Sequence, residues 1–123
     1  MFNEQVTIIL YANDVAKYAA FWEKLGFVII SQNEIDGSPV AEIAVVPNGA
    51  VHFMIYDRTF IENNSDEVSE PSPALIFSSD DVMALYKDLQ EKAVQLGDLT
   101  QIGGEYVFNF VDIEGNYFVV SGK

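Results

Sequence analysis

Cysteine is missing from this chain of 123 residues, histidine occurs once, and lysine and arginine together number six. Without cysteine there is no disulfide, no thiol nucleophile and no thiolate metal site. That fits a reducing compartment. A single histidine does not allow a Ser-His-Asp arrangement to be assigned without geometry. Six basic residues against 19 acidic ones give a formal net charge of −13. Such a chain neutralises few phosphates, which argues against nucleic acid as a partner. A field of this sign attracts cationic ligands, and it equally serves as plain solubilising charge. No apolar run approaches a membrane span, and the start Met1-Phe2-Asn3-Glu4 carries no basic n-region. A soluble, cytoplasmic protein with no membrane partner is expected.

Apolar side chains, in contrast, are plentiful. They make up 50% of the residues, and aromatics make up 13%, enough for a real core at a length suited to one domain. Their order repeats. Asn13-Asp14-Val15 and Asp80-Asp81-Val82 each open a helical pattern, at an offset of 67. Val15, Tyr18, Ala19 and Trp22 follow in the first copy, Val82, Leu85, Tyr86 and Leu89 in the second. Both sets run i, i+3, i+4, i+7, the buried stripe of an amphipathic helix. Two copies of one supersecondary unit are therefore expected.

Gln5 to Ala12 reads as a buried strand, rich in β-branched and aliphatic residues. Asn13 or Asp14 can cap the helix after it, and Gly26 is a natural stop. Phe27 to Ser31 reads as a second strand and Asn33 to Pro39 as a polar turn. Val40 to Val46 and Ala50 to Tyr56 form a hairpin around Pro47-Asn48-Gly49. In the second half Ala74 to Ser78 is a strand, Asp80 to Leu96 a helix ending at Gly97, and Leu99 to Ile102 a weak strand. Glu105 to Val111 and Tyr117 to Val120 form the last hairpin, around residues 112–116. Residues 57–73, polar and acidic with two prolines, join a module over 1–56 to one over 74–123. That segment reads as a linker within one fold, neither four-stranded half being expected to stand alone, so 1–123 is expected to be a single α+β domain of two βαβββ modules.

Three stretches of this chain resemble the vicinal oxygen chelate superfamily, which includes glyoxalases, extradiol dioxygenases and bleomycin-resistance proteins. They are Asn13-Asp14-Val15 leading to Phe21-Trp22-Glu23-Lys24-Leu25-Gly26-Phe27, the Asp80-Asp81-Val82 helix start, and Phe110 to Tyr117. The resemblance implies curled mixed sheets around a ligand cavity, and a homodimer. Metal-dependent members place His or Glu at four strand positions. Counting seven residues back from Asp14 and Asp81 gives Thr7 and Ala74; counting four forward from Gly49 and Gly115 gives Phe53 and Val119. Those four residues make no metal site, so no cofactor is expected. His52 lies one residue from such a position, and a one-residue slip would turn it into the cavity. It is the outside candidate for a metal ligand, with Glu42 as its partner.

Strand alternation and the repeat give Thr7, Ile9, Phe53, Ile55, Ala74, Ile76, Phe108, Tyr117 and Val119 as the cavity set. Glu42, expected opposite Ile55, adds a carboxylate to that face. Apolar walls with few polar groups suit a small-molecule pocket, and the same mixture describes a plain core. Trp22 and Tyr86 read as packing residues. Asp80-Asp81 and the Asp112 and Glu114 pair have ordinary capping and turn roles. Gly103-Gly104 lacks the context of a phosphate loop. The resemblance thus implies a metal-independent small-molecule binder, laid out like a bleomycin-resistance protein and sequestering a cationic or aromatic ligand or antibiotic. The alternatives are a glyoxalase-like lyase, isomerase or dioxygenase with relocated metal ligands, and an acidic protein-interaction module.

Overall fold

The computed structural model describes residues 1–64 and 74–123. The chain divides into two compact units, Met1–Ser72 and Pro73–Lys123. In the first unit β1 (Val6–Ala12), α1 (Val15–Lys24), β2 (Val28–Ile35), β3 (Ser38–Ala44), β4 (Val51–Asp57) and α2 (Arg58–Asn64) follow one another. The second has β5 (Ile76–Ser79), α3 (Val82–Glu91), β6 (Gln95–Leu96), β7 (Thr100–Ile102), β8 (Glu105–Val111) and β9 (Tyr117–Gly122). The strand order is β1-β4-β3-β2 in one sheet and β5-β9-β8-β6 in the other, with β7 also on β8. The outer pairs β1–β4 and β5–β9 are parallel and the remainder antiparallel. The fold is α+β, with two mixed sheets.

Local chemistry explains each boundary, and most of it is duplicated. Asp14 accepts a hydrogen bond from the Lys17 amide at 3.1 Å and Asp81 from the Ala84 amide at 3.0 Å. These are N-caps, each worth about 1 kcal/mol. Gly26 (φ 106°) follows α1, and Ala93 (φ 60°) stands at the same place 67 residues on. α3 therefore stops at Glu91, short of Gly97, and the chain enters β6 instead of another helical turn.

The polar turn expected over Asn33 to Pro39 is much tighter. Asp36 and Gly37 have φ of 51° and 82°, so β2 runs on to Ile35 and returns as β3 through two residues. Positive φ at both central positions is the type I′ geometry, whose twist matches that of the flanking strands. Gly103 (φ 60°) and Gly104 (φ 86°) repeat it, again at an offset of 67, between β7 and β8.

The β8–β9 turn is closed by Asp112, which is buried. Its carboxylate accepts from the Glu114 and Asn116 amides and from Asn116 Nδ2, at 2.9, 2.8 and 3.1 Å. The first part of the expected linker is α2, begun by a hydrogen bond from the Phe60 amide to Asp57 Oδ1 at 3.0 Å. The rest of that linker, residues 65–73, lies outside the described residues.

Each sheet packs one face on its own helix. In the first unit Val15, Tyr18, Ala19 and Trp22 of α1 are buried against Leu10, Ala12, Ala41, Ile43, Phe53 and Ile55. The Trp22 ring stacks on Phe53 with centroids 6.4 Å apart and lies 4.8 Å from Phe27. In the second unit Tyr86 meets Phe108 edge-on at 5.0 Å, and Phe77 and Phe110 lie 6.0 and 5.5 Å from Phe118. Full burial of each such side chain contributes about 1.5–3 kcal/mol.

Candidate functional site

Because strand side chains alternate, fixing the helix-facing set also fixes the opposite face. In the first sheet Phe53 and Ile55 are 3% and 0% exposed and lie on the α1 side, paired with Ile43 and Ala41. Both therefore leave the expected cavity set. Phe108 is likewise buried on the α3 side against Tyr86, though it also touches a cleft described below. In their place, His52, Met54 and Tyr56 of β4 occupy the helix-averted face, across from Thr7, Ile9 and Tyr11 of β1.

The two hairpins differ in length. Ala41 and Ile43 correspond to Phe108 and Phe110 at an offset of 67, whereas Phe53 and Ile55 correspond to Phe118 and Val120 at 65. The second hairpin turn is two residues shorter, so counting a fixed distance from Gly49 and Gly115 lands on different faces.

Glu42 is on the averted face as expected, but its neighbours differ. It stands across from Met54 and Ser31, not Ile55. Its Oε2 lies 2.5 Å from His52 Nδ1, and His52 Nε2 lies 3.0 Å from the Gly49 carbonyl oxygen. The two side chains are 26% and 12% exposed, respectively. Thr7 and Ile9 are exposed, and Met54 and Tyr56 half-buried. Beside His52 opens a pocket of about 490 Å³, between Asn3–Gln5 and the turn Pro47–Ala50.

In the second sheet Ile76 and Asn109 flank Val119 on the averted face, and Tyr117 lies across from Val111. Ala74 is exposed and precedes β5. A cleft of about 210 Å³ is lined by Asp98, Thr100, Val107, Phe108, Asn109 and Val119. Trp22 is core, and Tyr86 donates its hydroxyl to the Gly97 carbonyl at 2.9 Å. Asp81 and Asp112 serve the helix cap and the turn already described.

The donor set for a metal is thin. Directly across from Thr7 stands His52, so that pair offers one imidazole and one hydroxyl. Glu42 is the carboxylate within reach, and it is hydrogen-bonded to the imidazole itself. Among the described residues no three His, Asp or Glu side chains are grouped to hold an ion. These residues do not fit the divalent ion of metal-dependent relatives, which needs three protein ligands or more.

The family profile of the Glyoxalase/Bleomycin resistance protein/Dioxygenase superfamily matches residues 5–120, and the chain belongs to that superfamily. It is 25% identical over 123 residues to the uncharacterized protein YetH of Bacillus subtilis (strain 168), covering 98% of each chain. Its fold is similar to that of TnmS3, an antibiotic binding protein from Streptomyces sp. CB03234: TM-score 0.79, 18% identity, 98% of this chain and 96% of that one. It is also similar to lactoylglutathione lyase from Agrobacterium tumefaciens, with TM-score 0.69, 18% identity and coverage of 95% and 91%. A binder and an enzyme thus share this scaffold, and the choice between them rests on side chains.

Proposed function

We propose that this protein binds a small aromatic molecule, an antibiotic among the candidates, without a metal, on the helix-averted face of its first sheet. One observation carries the reading: Ile9, Met54 and Tyr56 remain accessible there around a single polar pair, Glu42 and His52. Apolar walls with a few directed polar groups are what small-ligand sites are made of. Methionine adapts its shape to flat ligands. The net charge of −13 disfavours anionic ligands. The antibiotic-binding neighbour on the same fold supports the reading. Thr7 completes that surface, and Ile76, Tyr117 and Val119 form a second candidate surface on the other sheet. Homodimerisation and a cytoplasmic location belong to the same proposal.

A second reading, a lyase, isomerase or dioxygenase with His52 and Glu42 as relocated ligands, needs a third ligand beyond this pair. The two readings part in one experiment. Thermal denaturation is followed with bleomycin and a panel of aromatic antibiotics, alongside elemental analysis after incubation with Ni, Zn, Fe and Mn. Binding predicts a raised Tm with some panel member, lost in Met54→Asp, and no bound metal. A silent panel together with about one metal per chain would replace it with the enzyme reading.

A further inference from the structure

We infer that the ligand of this site carries a hydroxyl-rich, sugar-like group at one end, held in the pocket between Asn3–Gln5 and the turn Pro47–Ala50 while its aromatic body lies on Ile9 and Met54. The inference rests on the binding reading above and specifies the ligand class, an aromatic glycoside.

The β1–β4 pair changes character along its length. Its helix-averted face runs through Tyr11 and Tyr56, Ile9 and Met54, and then Thr7 and His52. At about 3.3 Å per residue that track is about 13 Å long, enough for a flat ring system at its apolar end. The next step beyond Thr7 and His52 is Gln5 and Ala50, where the Val6 amide donates to the Ala50 carbonyl at 2.8 Å. Gln5, Ala50 and His52 all line the pocket, so the pocket continues the track. The apolar and polar ends meet at His52.

The side chains of the pocket fit hydroxyl groups. Asn3, Gln5 and Asn48 bring carboxamides, Glu4 brings a carboxylate, and neither lysine nor arginine lines it. A carboxamide both donates and accepts, as a hydroxyl does, whereas an anion needs donors alone and a cation acceptors alone. Asn3 Oδ1 already accepts from the Gln5 amide at 3.0 Å, while the side chains of Glu4, Gln5 and Asn48 make no hydrogen bond among the described residues. Two acidic groups stand near: Glu4, exposed and screened by water, and Glu42, in contact with His52. At about 490 Å³ the pocket lies within the range of small-molecule sites, about 300–1,000 Å³.

Three probes with one ring system test this on the full chain: 2-naphthyl glucoside, 2-methoxynaphthalene, which has the ether without the sugar, and 2-naphthylmethylammonium. Only three methionines occur, at positions 1, 54 and 83, so the Met54 methyl NMR signal reports binding at the site. In the wild type the glucoside is expected to bind about tenfold more tightly than the ether, the effect of one or two added hydrogen bonds. That ratio should fall toward one in Gln5→Ala and in Asn48→Ala, and either variant decides the matter if the other does not fold. Equal binding of glucoside and ether while Met54 responds, an advantage that survives both substitutions, or an ammonium that outbinds the glucoside would overturn the inference and leave the binding reading intact. No response of Met54 to any probe would overturn both.

Discussion

Removing His52 and Glu42 singly and together should reveal a coupling that neither substitution shows alone. A hydrogen bond between charged groups is worth about 1.5–3 kcal/mol, whereas a fully exposed ion pair contributes about 0–1 kcal/mol. At 12% and 26% exposure, with a 2.5 Å contact, this pair falls between those limits, and a coupling of about 1–2 kcal/mol is expected. His52→Ala also loses the bond to the Gly49 carbonyl, roughly another 1 kcal/mol, so it should cost more than Glu42→Ala. The assay is urea unfolding of the four proteins, followed by tryptophan fluorescence. The sole tryptophan, Trp22, is 1% exposed in the core of the first unit and reports on the sheet that carries the pair. The double variant should be destabilised by less than the two single losses combined. Additivity to within about 0.3–0.5 kcal/mol would refute the reasoning, because it would mean the contact contributes nothing in solution.

Adjacent residues of β4 should respond in opposite ways to truncation. Phe53→Ala, in the α1 core, is expected to cost about 3–5 kcal/mol in the same unfolding assay, whereas Met54→Ala should cost under about 1.5 kcal/mol. Equal losses would contradict the assignment of faces. Ala93→Gly should stabilise the chain by about 0.5–1 kcal/mol, since a left-handed alanine costs about 1–2 kcal/mol and the freer unfolded glycine returns part of the gain. Thermal denaturation by circular dichroism checks it, and a lowered Tm would show that the exposed Ala93 methyl makes a contact that outweighs its strain.

Much of the architecture could be read from residue types whose physics is local. Asp14 and Asp81 announced their helices because a short carboxylate is suited to the free amides of a first turn, and both accept those bonds here. The end of α3 was hidden because an alanine, which has no sequence signature as a stop, takes the left-handed position that Gly26 takes in the first unit. α2 fell in a stretch expected to be linker, since its seven residues have too few turns to show an apolar stripe. The candidate site suffered from a different cause. Face assignment along β4 depends on a register set by the length of the preceding turn, and no residue in β4 itself reports that length. Phe53 looks as suited to a cavity as Met54 does; only the stacking on Trp22 separates them. Glu42 could be found because a lone carboxylate among apolar neighbours stands out. Its partner His52 was one step of alternation away from recognition.

The changed offset between the halves also constrains how such a repeat can drift. Between the paired residues Ile43 and Phe53 the chain spans positions 44–52, and between Phe110 and Phe118 positions 111–117. The two turns have diverged by two residues, the smallest length change that returns every side chain of the following strand to its own face. An odd change would have put Phe118 and Val120 in place of Tyr117 and Val119, exchanging core for surface along a whole strand. Turn length in this scaffold is thus filtered by parity: even insertions and deletions slide a strand along its neighbour, and odd ones turn it inside out.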